Sequence, residues 1–410
     1  MPYISLDKNN QVNVISTSQF NSINDVVKTD NDVSLYEKII SHNKDNKIRL
    51  AYICNWKQKC GISTYSEFIF EKLKSNIDEY KIFSEHSENI DESENIKYCW
   101  TRGTSLKELL KEIKDYKANV VLIQHEWGLF PNATFFMSFI IELKKLNIAV
   151  LTVLHSVYEH IDKTIPLSIL DNVIVHSNEA KNVLIKMGFK GSVNIISHGC
   201  PELNNSKELW NIFQNDYTLF GFGFGFKYKG VDMAIDAIKY LKDNDPKFKN
   251  ILYIYVCSES NSNKGIHNSY YDFLTKKVDD LDLSENVLLI KGFLENDMLD
   301  RYLRIVKMVI FPYVSDPDNT VYGASGAIKI AMSYNLPVIA SQSHLFDDLN
   351  NIVERISNYI ELATEIDKIF SNDNYKNSLI NKTHQYINEH SWEKMAILYL
   401  DAIKRTILYS

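Results

Sequence analysis

At 410 residues the chain exceeds what one ordinary hydrophobic core organises, so two domains are expected. An apolar content of 45% and a charged content of 24% are those of a soluble globular protein. The formal net charge of -7 argues against a general nucleic-acid binder, which needs a basic face, and no apolar run reaches the roughly 18 residues of a membrane span.

The N-terminus, MPYISLDKNNQVNV, is polar and has no secretory pattern. The five cysteines are odd in number, scattered and free of any CxxC spacing. They read as reduced thiols of a cytoplasmic protein, not as a zinc site or disulfide frame. Residues 1–46 are rich in Asn and Asp and weakly periodic, an appended segment with one helix expected over Val33 to His42. At Lys47 the pattern changes. IRLAYIC reads as a buried strand, TYSEFIFEKLK as a helix and YKIFSE as a strand, while the acidic SENIDESENI reads as a solvated loop. SLKELLKEIKDY is an amphipathic helix and ANVVLIQHE a buried strand. A helix over Thr134 to Leu146 precedes the strand IAVLTVLHS. DNVIVHS, the helix NEAKNVLIKMG and VNIISHG close this half at residue 200.

After Pro201 to Gln214 the alternation restarts. TLFGFGF, ILYIYVCS, NVLLIKG and VKMVIFPY are strands separated by helical patterns. Strands alternating with helices imply parallel sheets, and two such blocks imply two doubly wound domains, 47–200 and 201–391, facing a cleft at their strand carboxyl ends. SWEKMAILYLDAIKRTIL is a long amphipathic last helix that needs a surface to cover.

The densest signal is PYVSDPDNTVYGASGAIKIAMSYNLPVIAS, residues 312–341. Small residues at Ser325-Gly326-Ala327 open a helix, where backbone N–H groups and the helix dipole favour an anion such as a phosphate. A plain, well-packed helix start is the alternative. Gly61, between strand and helix, reads either as a turn glycine or as a point of close backbone approach to a ligand. Lys229-Gly230 in FKYKG opens another helix, and a lysine there neutralises a diphosphate as a point charge. The glycines 221, 223 and 225 lack the spacing of a dinucleotide fingerprint.

Together these segments resemble the retaining, nucleotide-sugar-dependent glycosyltransferases of family 4. The resemblance covers about residues 47–410 and rests on the order of VVLIQHEWGLF, VLTVLHS, VIVHSNEAKNVLIKMG, VNIISHGCPE, FGFGFKYKG, LLIKGFLENDMLDRYL and the SGA helix with PVIAS. It implies an α/β GT-B fold of two Rossmann-like domains, with the helix 392–410 crossing back to complete the first. It implies transfer from a nucleotide-sugar donor on the second domain to a glycan, lipid-linked or other acceptor on the first, without metal or cofactor. The donor would meet Gly61, Lys227, Lys229, Ser258, Glu259, Gly292, Phe293, Ser325, Gly326 and Ala327. His155 and Lys229 would serve the reaction, and His125 with Glu126 the acceptor, although His155 also reads as a structural histidine and His125-Glu126 as a weak pair. Trp392 would anchor the crossing or be an ordinary core residue. The place would be the cytoplasm, with peripheral contact at the inner face of the membrane.

Two motifs depart from the family pattern. The arginine expected five residues before Lys229 is Phe224, and the two glutamates eight residues apart are Tyr322 and Ile330. These departures keep a second reading open, a non-catalytic GT-B homologue that binds a nucleotide, a glycan or a protein partner.

Overall fold

A computed structural model describes residues 3–6, 12–15, 47–87, 93–159, 169–204, 216–258, 264–292, 294–315 and 320–408. The helix expected over Val33 to His42 lies outside these residues. The chain forms two compact units, Met1–Lys47 and Ile48–Ser410. In the first, β1 (Tyr3–Leu6) and β2 (Val12–Ile15) pair antiparallel, Tyr3 opposite Ile15 and Leu6 opposite Val12. The sequence reading holds no strand here, because four-residue runs are too short to show a period.

The second unit begins with β3 (Arg49–Cys54), α1 (Gly61–Leu73), β4 (Glu79–Glu85), β5 (Ile96–Trp100), α2 (Lys107–Tyr116) and β6 (Val120–His125). It continues with α3 (Ala133–Lys145), β7 (Ala149–Leu154), the short β8 (Ser156–Tyr158), β9 (Asn172–Val175), α4 (Asn178–Lys186) and β10 (Ser192–Ile195). Seven of these strands form one parallel sheet in the order β10-β9-β7-β6-β3-β4-β5. Leu50 through Cys54 are wholly buried, as continuous apolar strands covered on both faces must be. The chain moves outward through β4 and β5, then returns to the other side of β3 at β6. That reversal opens a crevice at the carboxyl ends of β3 and β6. The strand β5 was not expected, since NIKYCW follows an acidic run and sits at the sheet edge with three of the strand's five residues partly exposed.

The second half repeats the plan. β11 (Thr218–Phe224), α5 (Val231–Asn244), β12 (Leu252–Ser258), α6 (Lys264–Asp280), β13 (Val287–Lys291), α7 (Asn296–Ile305) and β14 (Met308–Phe311) are followed by the short β15 (Val321–Gly323), α8 (Gly326–Met332), β16 (Val338–Ser341) and β17 (Glu354–Ile356). Two helices, α9 (Tyr359–Ser371) and α10 (Asp373–Glu389), complete it. The sheet order is β13-β12-β11-β14-β16-β17, all parallel, and the order reverses between β11 and β14. The loops after β11 and β14 therefore face the cleft side by side.

The last helix, α11 (Trp392–Leu408), lies on the first half. Trp392, Met395, Ala396, Tyr399, Ala402 and Ile403 join the core with Leu50, Tyr52, Leu122 and Leu151. The two chain crossings run together: Cys200 bridges Ser391, and its N–H donates to the His390 carbonyl at 2.8 Å. Gly199 lies flat on the Trp392 indole, where a Cβ would fall 2.2 Å from a ring atom. A further tie was not expected. β8 of the first half pairs antiparallel with β15 of the second, Val157 opposite Tyr322 and Ser156 opposite Gly323. The Tyr322 ring packs on the first half's core and lies 4.4 Å from the His344 ring.

Gly199→Ala overpacks the crossing. We expect a loss of about 1–3 kcal/mol in urea unfolding, the usual scale for an inserted methyl group in a packed site. Unchanged stability would show that the linkers can part without cost.

Candidate functional site

Between the halves lies a cleft of about 940 Å³, a volume suited to a ligand of nucleotide-sugar size. Its second-half wall is built at the β11/β14 reversal. The chain leaves β11 through a 3-10 turn, Lys227–Lys229, and enters α5 through Gly230. Gly230 has φ 63, and a Cβ there would sit 1.8 Å from the Pro312 carbonyl oxygen, so only glycine lets the two loops close. Closure sets the half-buried Lys229 Nζ 2.7 Å from the Tyr313 hydroxyl, to which it donates. The same ammonium lies 3.9 Å from the Tyr313 ring centre and 4.8 Å from that of Tyr228. Ser325 is close enough to the Tyr313 phenol to oppose the effect of its burial, so lysine, tyrosine and the start of α8 neighbour one another on the cleft wall.

Lys229 is thus held by a phenol and two aromatic rings. Burial lowers its ammonium below the ordinary lysine value, against an opposing pull from Tyr228. The unfolded chain then binds more protons than the folded one between the lowered and the ordinary value. The lysine costs stability at neutral pH, and that cost fades as pH rises through the lowered value.

The first-half wall starts at the loop after β3. Glu67 accepts from the Lys57 N–H and the Ser63 hydroxyl, and Ser63 in turn accepts from the Gln58 N–H. These bonds fix the loop that delivers Gly61, which lines the cleft with open space over its Cα. Lys59 reaches across to Glu295 at 2.6 Å, but both side chains are about two-thirds exposed and such a pair is weak.

His155, at the end of β7, lines the cleft. Its Nε2 lies 2.7 Å from Gln124 Oε1 and its Nδ1 3.4 Å from His176 Nε2. Its ring also meets the Tyr65 ring edge-on at 4.7 Å. Burial, with the neighbouring histidines, pushes His155 well below the usual imidazole range. Both ring nitrogens face protein groups, so a direct bond from His155 to a sugar hydroxyl, one of its expected roles, competes with these partners. Glu126 lines the cleft, and its Oε1 accepts from the Trp127 N–H at 3.0 Å and the Tyr158 hydroxyl at 3.4 Å.

Ser258, Ser325, Gly326 and Ala327 all border the cleft as well. Glu259 and Phe293 lie outside the described residues. Three expected residues stand elsewhere. His125 is buried among Trp127, Phe130 and Phe136 and does not line the cleft. Strand side chains alternate, so when Gln124 faces His155, His125 must face the opposite layer. Burial pushes its imidazole down to about 3. Lys227 is exposed and off the cleft wall, because a 3-10 turn separates residues two apart by most of a revolution and parts it from Lys229. Gly292, with φ 150 at the end of β13, is also off the wall. At the two glutamate positions, Ile330 lines the cleft, whereas Tyr322 is spent on the β8–β15 pair. Sequence reasoning missed Gln124, Tyr313 and His176. Only the alternation within VLIQHE pointed to the first, and the other two pair through the fold.

No family model matches the chain, and no curated protein matches it in sequence. Solved structures do match in shape. A trehalose-6-phosphate synthase, studied for glycosyltransfer with retention, superposes with a TM-score of 0.69 at 12% identity, over 87% of this chain and 99% of that one. A glycosyltransferase from Rickettsia africae gives 0.68 at 18% identity over 89% and 100%. WaaG, a glycosyltransferase of lipopolysaccharide biosynthesis, gives 0.60 at 11% over 86% and 99%. The fold of this chain is therefore GT-B.

Lys229→Met removes a half-buried cation while keeping its bulk. We expect a melting temperature at pH 7 that is unchanged or higher. Pyrophosphate binding should weaken by roughly 1.5–3 kcal/mol, the range for a hydrogen bond to a charged group, as read by calorimetry. Undiminished binding would place Lys229 away from the anion.

Proposed function

We propose that this chain is a retaining glycosyltransferase. It moves a sugar, of hexosyl type, from a nucleotide-sugar to a hydroxyl of a glycan or lipid-linked acceptor. The observation that carries the reading is the Lys229–Tyr313–Ser325 unit at the strand-order reversal of the second sheet, facing a cleft of donor size in a GT-B fold. The neighbours in shape are named as glycosyltransferases, one of them acting with retention.

In this reading the diphosphate lies against Lys229 and the opening of α8, and the acceptor enters on the side of Glu126 and Tyr158. The bond from the anomeric carbon to the diphosphate oxygen breaks. The acceptor oxygen bonds that carbon on the same face, and its proton passes to the leaving phosphate. Such chemistry needs placement and charge stabilisation more than a protein nucleophile. We also propose that it runs without a divalent ion or a cofactor, the nucleotide-sugar being a substrate. The cytoplasm, at or near the inner membrane face, is the proposed place of work. The described cysteines are free thiols, and no described helix is long and apolar enough to cross a membrane.

The test is a thermal-shift screen with UDP, GDP, ADP and their sugars, followed by hydrolysis of the stabilising donor without acceptor and in excess chelator. One nucleotide at 100 times its dissociation constant should add about 2.7 kcal/mol of stability. Its sugar should then be hydrolysed slowly. Hydrolysis lost in chelator and restored by magnesium or manganese would refute the metal-free site. Binding without any hydrolysis would favour a non-catalytic homologue.

A further inference from the structure

At the back of the cleft a chain of hydrogen bonds fixes two histidine tautomers. The Tyr52 hydroxyl donates to the Ser66 carbonyl at 3.1 Å and accepts from Gln124 Nε2 at 2.9 Å. That orients the Gln124 amide, so its oxygen is what meets His155 Nε2 at 2.7 Å. An amide oxygen only accepts, and His155 therefore carries its proton on Nε2. At the other end, His176 Nδ1 lies 2.9 Å from the Ile196 carbonyl, which also only accepts, so His176 carries its proton on Nδ1. The two nitrogens left over, His155 Nδ1 and His176 Nε2, face each other at 3.4 Å. In two neutral rings both are lone pairs, and the gap has a place for one proton and not for two.

We propose that His176 is a positioning residue that turns His155 into half of a one-proton receptor: the pair takes a proton from solvent when a diphosphate occupies the cleft and returns it when the anion leaves. The proposal rests on the reading of the cleft as a diphosphate site. Burial pushes both imidazoles down, which favours the neutral pair while the cleft is empty. An anion alongside favours the charged form, and a second proton would set two cations in contact, so the pair titrates as one site.

The groups around the pair leave this gap to it. From α1 the Tyr65 ring lies against both imidazoles. From the linker, His198 spends Nδ1 on the Gly199 carbonyl at 2.7 Å. Its Nε2 lies 3.0 Å from where a Cβ on Gly326 would be, which brings the histidine cluster up to the opening of α8. His125 acts on His155 only at a distance. Lys329 and Asp348 are the charged neighbours of His176, and they bond each other at 2.7 Å, so their fields largely cancel. With both nitrogens engaged, His155 acts on a ligand through its charge, at the place where the leaving diphosphate gathers negative charge.

The experiment uses the full chain with 15N-labelled histidine at pH 7.5 and inorganic pyrophosphate as the probe. Unliganded protein should show one neutral Nε2–H and one neutral Nδ1–H ring for the pair. Saturating pyrophosphate should move both signals together toward imidazolium, and calorimetry in two buffers of different ionisation heat should report uptake near one proton. His176→Asn keeps a donor for the Ile196 carbonyl and removes the nitrogen facing His155. His176→Gln restores a donor toward His155 that cannot carry charge. In both variants uptake at this pH should fall close to zero while pyrophosphate still binds, and kcat should drop about tenfold with KM for the donor little changed. Binding to the wild-type chain without proton uptake overturns the proposal alone, as does full kcat in His176→Gln. Failure of pyrophosphate to bind at all overturns the diphosphate reading and the proposal with it.

Discussion

Everything in the second unit hangs on the packing of one indole against one bare stretch of backbone. Trp392 lies on Gly199, and the crossings of the chain between the halves are hydrogen-bonded through Cys200 and His390. The same indole meets Tyr65 at 5.1 Å and His198 at 5.2 Å. Tyr65 then carries the contact outward. Its hydroxyl bonds Tyr399 at 2.6 Å, and its ring is shared by His155, His176 and His198. The residues that set the geometry of the halves are therefore the ones that set the floor of the cleft. A change at the crossing is felt by the histidines, because close-packed aromatic contacts transmit displacement and do not absorb it.

The pairing of β8 with β15 adds a second tie at one rim of the cleft. Two parallel linkers alone would allow the halves to rock as near-rigid bodies. With a strand pair also joining them, rocking that keeps the pair must open the opposite rim, where the Lys59–Glu295 contact is exposed and weak. The asymmetry gives the cleft a fixed edge and a loose edge. A donor bound against Lys229 and α8 sits on the wall that carries the fixed edge, since β15 leads directly into that helix.

Much of this was legible because buried parallel strands announce themselves. IRLAYIC, VVLIQH, AVLTVL and MVIF are nearly continuous apolar runs, and their alternation with helices implies the fold class from sequence alone. What was not legible depends on partners distant in sequence. β8 and β15 are three residues each and exist only because each finds the other. His125 read as a cleft residue because it ends a strand, yet the two-residue period turns it away and gives that place to Gln124. Lys227 read as a companion of Lys229, and a single turn of 3-10 helix separates them. Tyr313 had no signal of its own. Its role follows from the reversal of strand order, which no local pattern encodes.

The charge of the cleft can be understood from what surrounds each cation. Phe224 stands where the resembled family carries an arginine, and it lines the cleft beside Lys229. An arginine would bring a permanent charge with a rigid fork, whereas a lysine among aromatic rings has a charge that responds to its surroundings. Lys329, a fully buried lysine on this wall, is already neutralised by Asp348 and bonded to Tyr386. Lys229 and the His155–His176 gap then have something in common. Each is a basic site whose charged form burial disfavours, and whose bonded partners among the described residues are not carboxylates. The histidine gap gains its positive charge when ligand enters and loses it when ligand leaves, whereas Lys229 is a standing cation whose cost the anion offsets. Burial is what couples the two events, because the same low-polarity surroundings that lower the basicity of the empty site strengthen its attraction for an anion.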